Sequence, residues 1–309
     1  MLKDVILFTV IFGSAGAAVL FPGVGVPFQP YLLYFMMTLL FLSFLRIDFQ
    51  ALLDTSWPSV VQLGTLTAVK LIILPATLYW VTSLVYPDYA VPVLLLSGIS
   101  TGVVAPFVAN ILAADVASVV RMVVVTSLIV PISLPCLVKL LAGVDVSIPL
   151  DGMMRMLSLV IFVPMGMVVV MKRFIPGVLE RINTRQFPIS LGLFALINLG
   201  VFSQYSHFFF DRPGQIGVSL AIAYMLSGVY YLTGFLVAPS RKPAERLAAG
   251  VSLALMNNVL VIVFSSRFFG PLSPTLAALY MFPFFTMIAP LKLITNRTDW
   301  FSLRNADNR

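Results

Sequence analysis

Apolar runs long enough to cross a bilayer, following one another along nearly the whole chain, decide what this sequence can fold into. They fall near 5–21, 31–45, 60–85, 90–113, 116–138, 153–171, 187–206, 214–238, 247–266 and 272–294, separated by Pro, Gly and charge. Hydrocarbon offers no water to backbone amides, so a spanning segment must be a helix or one strand of a closed barrel. The two-residue alternation of a barrel strand is absent, and the expectation is an all-α membrane protein with ten transmembrane helices. Composition leaves room for little else: 60% of the residues are hydrophobic and 10% charged, so no soluble domain of useful size remains outside the runs. Met1–Phe21 lacks a small-residue cleavage site and reads as the first span rather than a signal peptide.

The formal net charge of +7 raises the question of nucleic acid, but the cations lie in short loops between spans, which is a matter of topology. With the N-terminus in the cytoplasm, the outside segments hold only Lys139, Arg155, Arg212 and Arg267. Lys70 and Arg121 fall within spans, and the remaining thirteen of the nineteen Lys and Arg fall inside. This predicts an inner (plasma) membrane protein, multi-pass, with both termini cytoplasmic and no nucleic-acid partner. The chain divides near 140–152 into two five-span halves, 1–143 and 144–296, followed by a cytoplasmic tail at 297–309. An odd number of spans per half gives the halves opposite orientations, the inverted repeat common among secondary transporters.

No carboxylate occupies the centre of a span, since all twelve acidic residues lie in loops or at span ends. A carboxylate relay of the kind many pumps use is therefore missing. Lys70 is the exception to a neutral interior. It lies about ten residues, or ~15 Å, into the 60–85 run, near mid-bilayer. That is too deep for its stem to reach the interface, and an ammonium there costs at least ~2.5 kcal/mol. It marks either a binding site or a structural lysine donating to helix carbonyls. The fourth run carries Ser100, Thr101, Gly102 and Pro106 within Leu96–Pro106, a pattern that predicts a helix broken at membrane depth or a packing kink. The ninth offers Ser252, Met256, Asn257 and Asn258, whose amides need partners, either across helices or on a ligand. Arg121 lies ~9 Å into the fifth run, where it can reach the interface, pair near Asp115, or attract an anion. Thr126, Ser127 and Asn198 add further donors, weaker signals because hydroxyls in spans more often serve packing.

Enzymatic chemistry finds no support. His207 is the only histidine, no phosphate-cradling loop with a Lys-Ser/Thr end is present, and no pair of midplane aspartates exists. The single Cys136 sits in an apolar run and cannot form an internal disulfide. No cofactor and no metal site is expected.

The order of Leu39–Leu53, Lys70–Pro75 (KLIILP), Gly98–Pro131 with its Asp115-Val116-Ala117, and Gly250–Phe264 with its Met256-Asn257-Asn258 resembles the bile acid:sodium symporter family over most of the chain. The resemblance implies ten helices in two inverted repeats, a panel and a core domain, and fourth and ninth helices unwound where they cross near the midplane. Members of that family move organic anions together with sodium bound behind the crossing. This chain departs from the pattern at the ion site. Aligned on Asp115, the family's Ser-Asn pair falls on Ala105 and Pro106, and hydroxyl ligands fall on Val119 and Val123. The ninth-helix Glu falls on Ser252, the Gln after it on Met256, and the third-helix Gln on Lys70. An oxygen cage has lost its carboxylate and gained a cation, so sodium coupling is not expected. The resulting expectation is a sodium-independent secondary transporter of a small organic anion, with Lys70 replacing a bound cation and protons as a possible coupling ion. The alternatives are a sodium symporter with relocated ligands and a non-transporting membrane sensor or binding protein on the same fold.

Overall fold

The computed structural model describes residues 2–45, 57–143, 149–238, 242–288 and 290–292, which form an all-α membrane protein. The tail expected at 297–309 lies outside the described residues. Among the described residues seven segments are long and apolar enough to cross a membrane. Six of them are α2 (Pro22–Phe44), α3 (Ser59–Val85), α6 (Val116–Leu141), α7 (Leu150–Phe174), α9 (Gln186–Gln204) and α11 (Pro213–Val237). The seventh, Leu272–Lys292, contains α14 (Leu272–Leu279) and α15 (Met281–Thr286). The first helix, α1 (Leu2–Leu20), packs along α9.

Two of the apolar runs do not continue as single helices. The 90–113 run breaks into α4 (Ala90–Ser97) and α5 (Ala105–Ile111), and the 247–266 run into α12 (Pro243–Ala254) and α13 (Asn258–Phe268). The first break falls where Gly98 and Gly102 lower helix propensity and Pro106 withholds an amide donor. The second carries neither Gly nor Pro; Leu255 turns extended, with φ −87° and ψ 97°, and ends α12. Short helices complete the chain: α8 (Pro176–Thr184) and α10 (Ser206–Asp211) cap the ends of α7 and α9.

Helix α3 is not regular either. Across Val69–Ile73 it widens to a π-helical turn, in which the Leu74 N–H reaches back five residues to the Val69 carbonyl. Pro75 supplies the cause. It has no N–H for the Leu71 carbonyl and its ring crowds that carbonyl, so the turn before it opens. Lys70 sits on this widened turn.

Packing sorts the helices into two groups. Helices α1, α2, α7 and α9 lie on one another, while α3 to α6 pack with α11 to α14; α6 against α7, and α13 against α2, α7 and α9, join the groups. Glycine permits the tightest approach in the second group. A Cβ on Gly234 of α11 would stand 2.5 Å from the Gly250 Cα of α12, so the two backbones touch there.

Candidate functional site

The two breaks meet each other. Thr101 and Met256 form an antiparallel β-bridge, the one such bridge among the described residues, which pairs non-helical backbone of one half of the chain with that of the other. The Gly102 N–H donates to the Leu255 carbonyl at 2.7 Å, and the Asn257 N–H donates to the Ser100 carbonyl at 3.1 Å. Unwound backbone at membrane depth needs such partners, because lipid supplies none. Gly102 is required for the approach: a Cβ there would lie 2.5 Å from the Met256 carbonyl oxygen. Thr101 is clamped further, its N–H donating to Thr126 Oγ1 at 3.0 Å and its Oγ1 to the Ser252 carbonyl at 2.9 Å. Thr126 Oγ1 in turn donates to the Met122 carbonyl of its own helix at 2.6 Å.

Lys70 reaches this crossing from α3. Its ammonium donates to the Leu253 carbonyl at 2.9 Å and to the Met256 thioether at 2.7 Å, and lies 5.7 Å from the centre of the Tyr230 ring. The residue is 1% exposed. Leu253 belongs to the last turn of α12, where carbonyls lack intrahelical donors and the helix dipole presents its negative end. The cation thus rests on the carbonyl end of a broken helix, over an aromatic face, with a soft sulfur beside it. Neither ion pair among the described residues involves it. Tyr280 holds the same helix end, donating from its hydroxyl to the Ala254 carbonyl at 2.7 Å.

Around the crossing, several buried polar groups have no hydrogen-bond partner: Ser100 Oγ, Ser127 Oγ, Ser252 Oγ, and both side-chain atoms of Asn258. Asn257 is buried beside them, and Pro106 starts α5 on the far side of the break. Lys70, Ser100, Thr101, Gly102, Thr126, Ser252, Met256, Asn257 and Asn258 are therefore drawn to one crossing, while Ser127 is buried next to Thr126 on α6 and makes no hydrogen bond to the crossing. Two further expected site residues are not. Asn198 of α9 donates to Ser14 of α1 at 3.2 Å, in the other helix group. Arg121 donates to Ser118 Oγ at 3.0 Å on α6, and the same hydroxyl donates to the Asp115 carboxylate. It lines a small cavity with Gln62 and stands apart from the contacts of Lys70. Tyr230 and the Leu253 carbonyl are site elements that the sequence did not single out. A tyrosine and a carbonyl inside apolar runs carry no distinguishing pattern, and only the fold brings them to the ammonium. Among the described residues, no three His, Cys, Asp or Glu side chains cluster as metal ligands would. No protein-family model matches the chain, and no curated protein matches it either.

Proposed function

We propose that this chain is a secondary transporter that carries a small organic anion through the membrane without sodium, the Lys70 ammonium taking the place of a bound cation. The observation that carries this reading is the position of that ammonium. It is desolvated in the middle of a long apolar helix and rests on the carbonyl end of a broken helix at the crossing. A monovalent metal cation would seek the same carbonyls, and an ammonium fixed among them repels one. The N-terminal end of α13, with the Asn257 and Asn258 amides, offers an anion the opposite polarity nearby.

In this reading the frame is ten transmembrane helices in two inverted five-helix repeats, residues 1–143 and 144–296. One broken helix in each half supports the repeat, and the separate packing of α1, α2, α7 and α9 supports a panel beside a core domain. The distribution of Lys and Arg favours cytoplasmic termini in a bacterial-type inner membrane or a plasma membrane. A Lys70 that releases its proton during the cycle couples transport to protons; one that keeps it makes the protein a uniporter or exchanger.

The test is anion counterflow in proteoliposomes, with sodium, potassium or choline as the cation. Flux is expected to be independent of sodium in the wild type and lost in Lys70→Gln. Absence of flux for every anion tried would sink the transport reading and leave the sensor. A second reading has its own observation: the unpartnered oxygens of Ser100, Ser127, Ser252 and Asn258 are of the kind sodium binds. Thermal stabilisation by sodium over choline would favour that relocated site.

A further inference from the structure

Three membrane-spanning segments end together at the face remote from Ser59. Helix α3 stops at Val85, α11 starts at Pro213, and the last long segment starts at Leu272. Among these ends lies an open cleft of about 390 Å³, lined by Asp88, Phe208, Arg212, Gln215, Pro271 and Leu272. Its place at the span ends sets it at the depth of lipid headgroups, and the exposed Tyr86 ring beside Asp88 suits that level. The fold fixes its walls. The Tyr89 hydroxyl, on the short 3-10 turn Pro87–Tyr89, donates to the Gln215 carbonyl at 2.9 Å and lies 2.9 Å from Ser219 Oγ, which ties the Asp88 turn to the start of α11. Asp88 and Arg212 border the cleft with opposite charges. Among the described residues neither makes an ion pair or a side-chain hydrogen bond, with the other or with a neighbour, and the Gln215 amide makes none either. The cleft thus presents a guanidinium fork, an amide, and a carboxylate with an aromatic ring nearby. An oxyanion suits the fork, and an ammonium suits the carboxylate and the ring. An ion of one sign meets a like charge across the cleft, whereas a zwitterion meets an opposite charge at each end.

We propose that this cleft binds a phosphate–ammonium zwitterion, its phosphate on Arg212 and Gln215 and its ammonium on Asp88 and Phe208. Two sources share that chemistry: the headgroup of an ethanolamine phospholipid, and a free, water-soluble phosphoethanolamine ester. The site needs the membrane frame but does not depend on transport at the crossing, and none of its residues is a partner of the Lys70 ammonium.

The experiment is a titration of the detergent-solubilised chain, read by native mass spectrometry. The probes are dihexanoyl phosphatidylethanolamine, dihexanoyl phosphatidylglycerol and soluble glycerophosphoethanolamine. The ethanolamine lipid is expected to bind saturably and more tightly than the glycerol lipid, which carries the phosphate alone. Arg212→Gln and Asp88→Asn should each weaken it about tenfold, because each removes a charge-assisted hydrogen bond. Asp88→Asn should leave the glycerol lipid unweakened. Both side chains are exposed, so both variants should keep the wild-type melting temperature. Glycerophosphoethanolamine binding as tightly as the lipid assigns a free ester; binding of the lipid alone assigns a headgroup. Equal affinity for the two lipids, or ethanolamine-lipid affinity unchanged in either variant, overturns the proposal. Lys70→Met should retain the binding, so failure of this site and failure of the transporter reading are read separately.

Discussion

At the scale of single residues, Lys70 sets up a conflict between stability and use. Its ammonium has lost its water and gained a carbonyl, a thioether and a ring face, none of them charged. The penalty for a buried ion is several kcal/mol, whereas a hydrogen bond from a charged donor returns about 1.5–3 kcal/mol. Replacing it with an apolar side chain of similar length therefore relieves more than it costs. Lys70→Met is expected to melt higher than the wild type by a few degrees in a thermal scan, while losing anion flux. A variant that melts lower would mean that the ammonium is structural glue. The depth of Lys70 was legible from counting residues along an apolar run. Its partners were not. Helix carbonyls were foreseen as acceptors, but not which ones: the ammonium meets the Leu253 carbonyl and the Met256 thioether, more than 180 positions away in sequence. Arg121 and Asn198 find neighbours away from the ammonium: Arg121 is joined through Ser118 to Asp115, near which pairing was one of its expected alternatives, and Asn198 donates to Ser14.

Between elements, the closest approaches depend on missing side chains. Gly234→Ala should force α11 off α12 and cost about 1–3 kcal/mol, because its Cβ meets backbone that cannot retreat. Gly228 of the same helix has nothing within 4 Å of a Cβ, and Gly228→Ala should be neutral or stabilising by about 0.5–1 kcal/mol. Comparing the two melting temperatures separates packing from propensity. Thr126→Val keeps the shape of α6 but strips the acceptor from the Thr101 N–H, and should cost about 1–3 kcal/mol through that buried amide. Of the two helix breaks, the first was readable in Gly98, Gly102 and Pro106, which weaken any helix locally. The second was not readable from local chemistry, since Leu255, Met256 and Asn257 contain no helix breaker; tertiary pairing with the first break holds that backbone extended. The widened turn of α3 follows from Pro75, whose effect lies four residues upstream.

For the molecule as a whole, the proposed topology makes opposite ends of the chain's helices accessible from opposite sides. In a Cys136→Ser background, a cysteine at Gly177 should react with an impermeant thiol reagent only after permeabilisation, and one at Gly214 in intact cells. Neither position has an atom within 4 Å of an added Cβ, so both substitutions should be tolerated. Reversed labelling would invert the orientation. The all-α membrane class and the seven long apolar segments were legible because hydrophobic length is a one-dimensional property, whereas how the helices group depends on which faces meet. The Thr101–Met256 bridge also places a constraint on biosynthesis. The Gly102 N–H and the Ser100 carbonyl of the first break lack their partners until residues near 256 have been made, and at ribosomal speed that interval is on the order of ten to thirty seconds. During it the nascent first half sits in the bilayer with an unsealed seam, exposed to quality-control proteases, and a truncated first half never closes that seam.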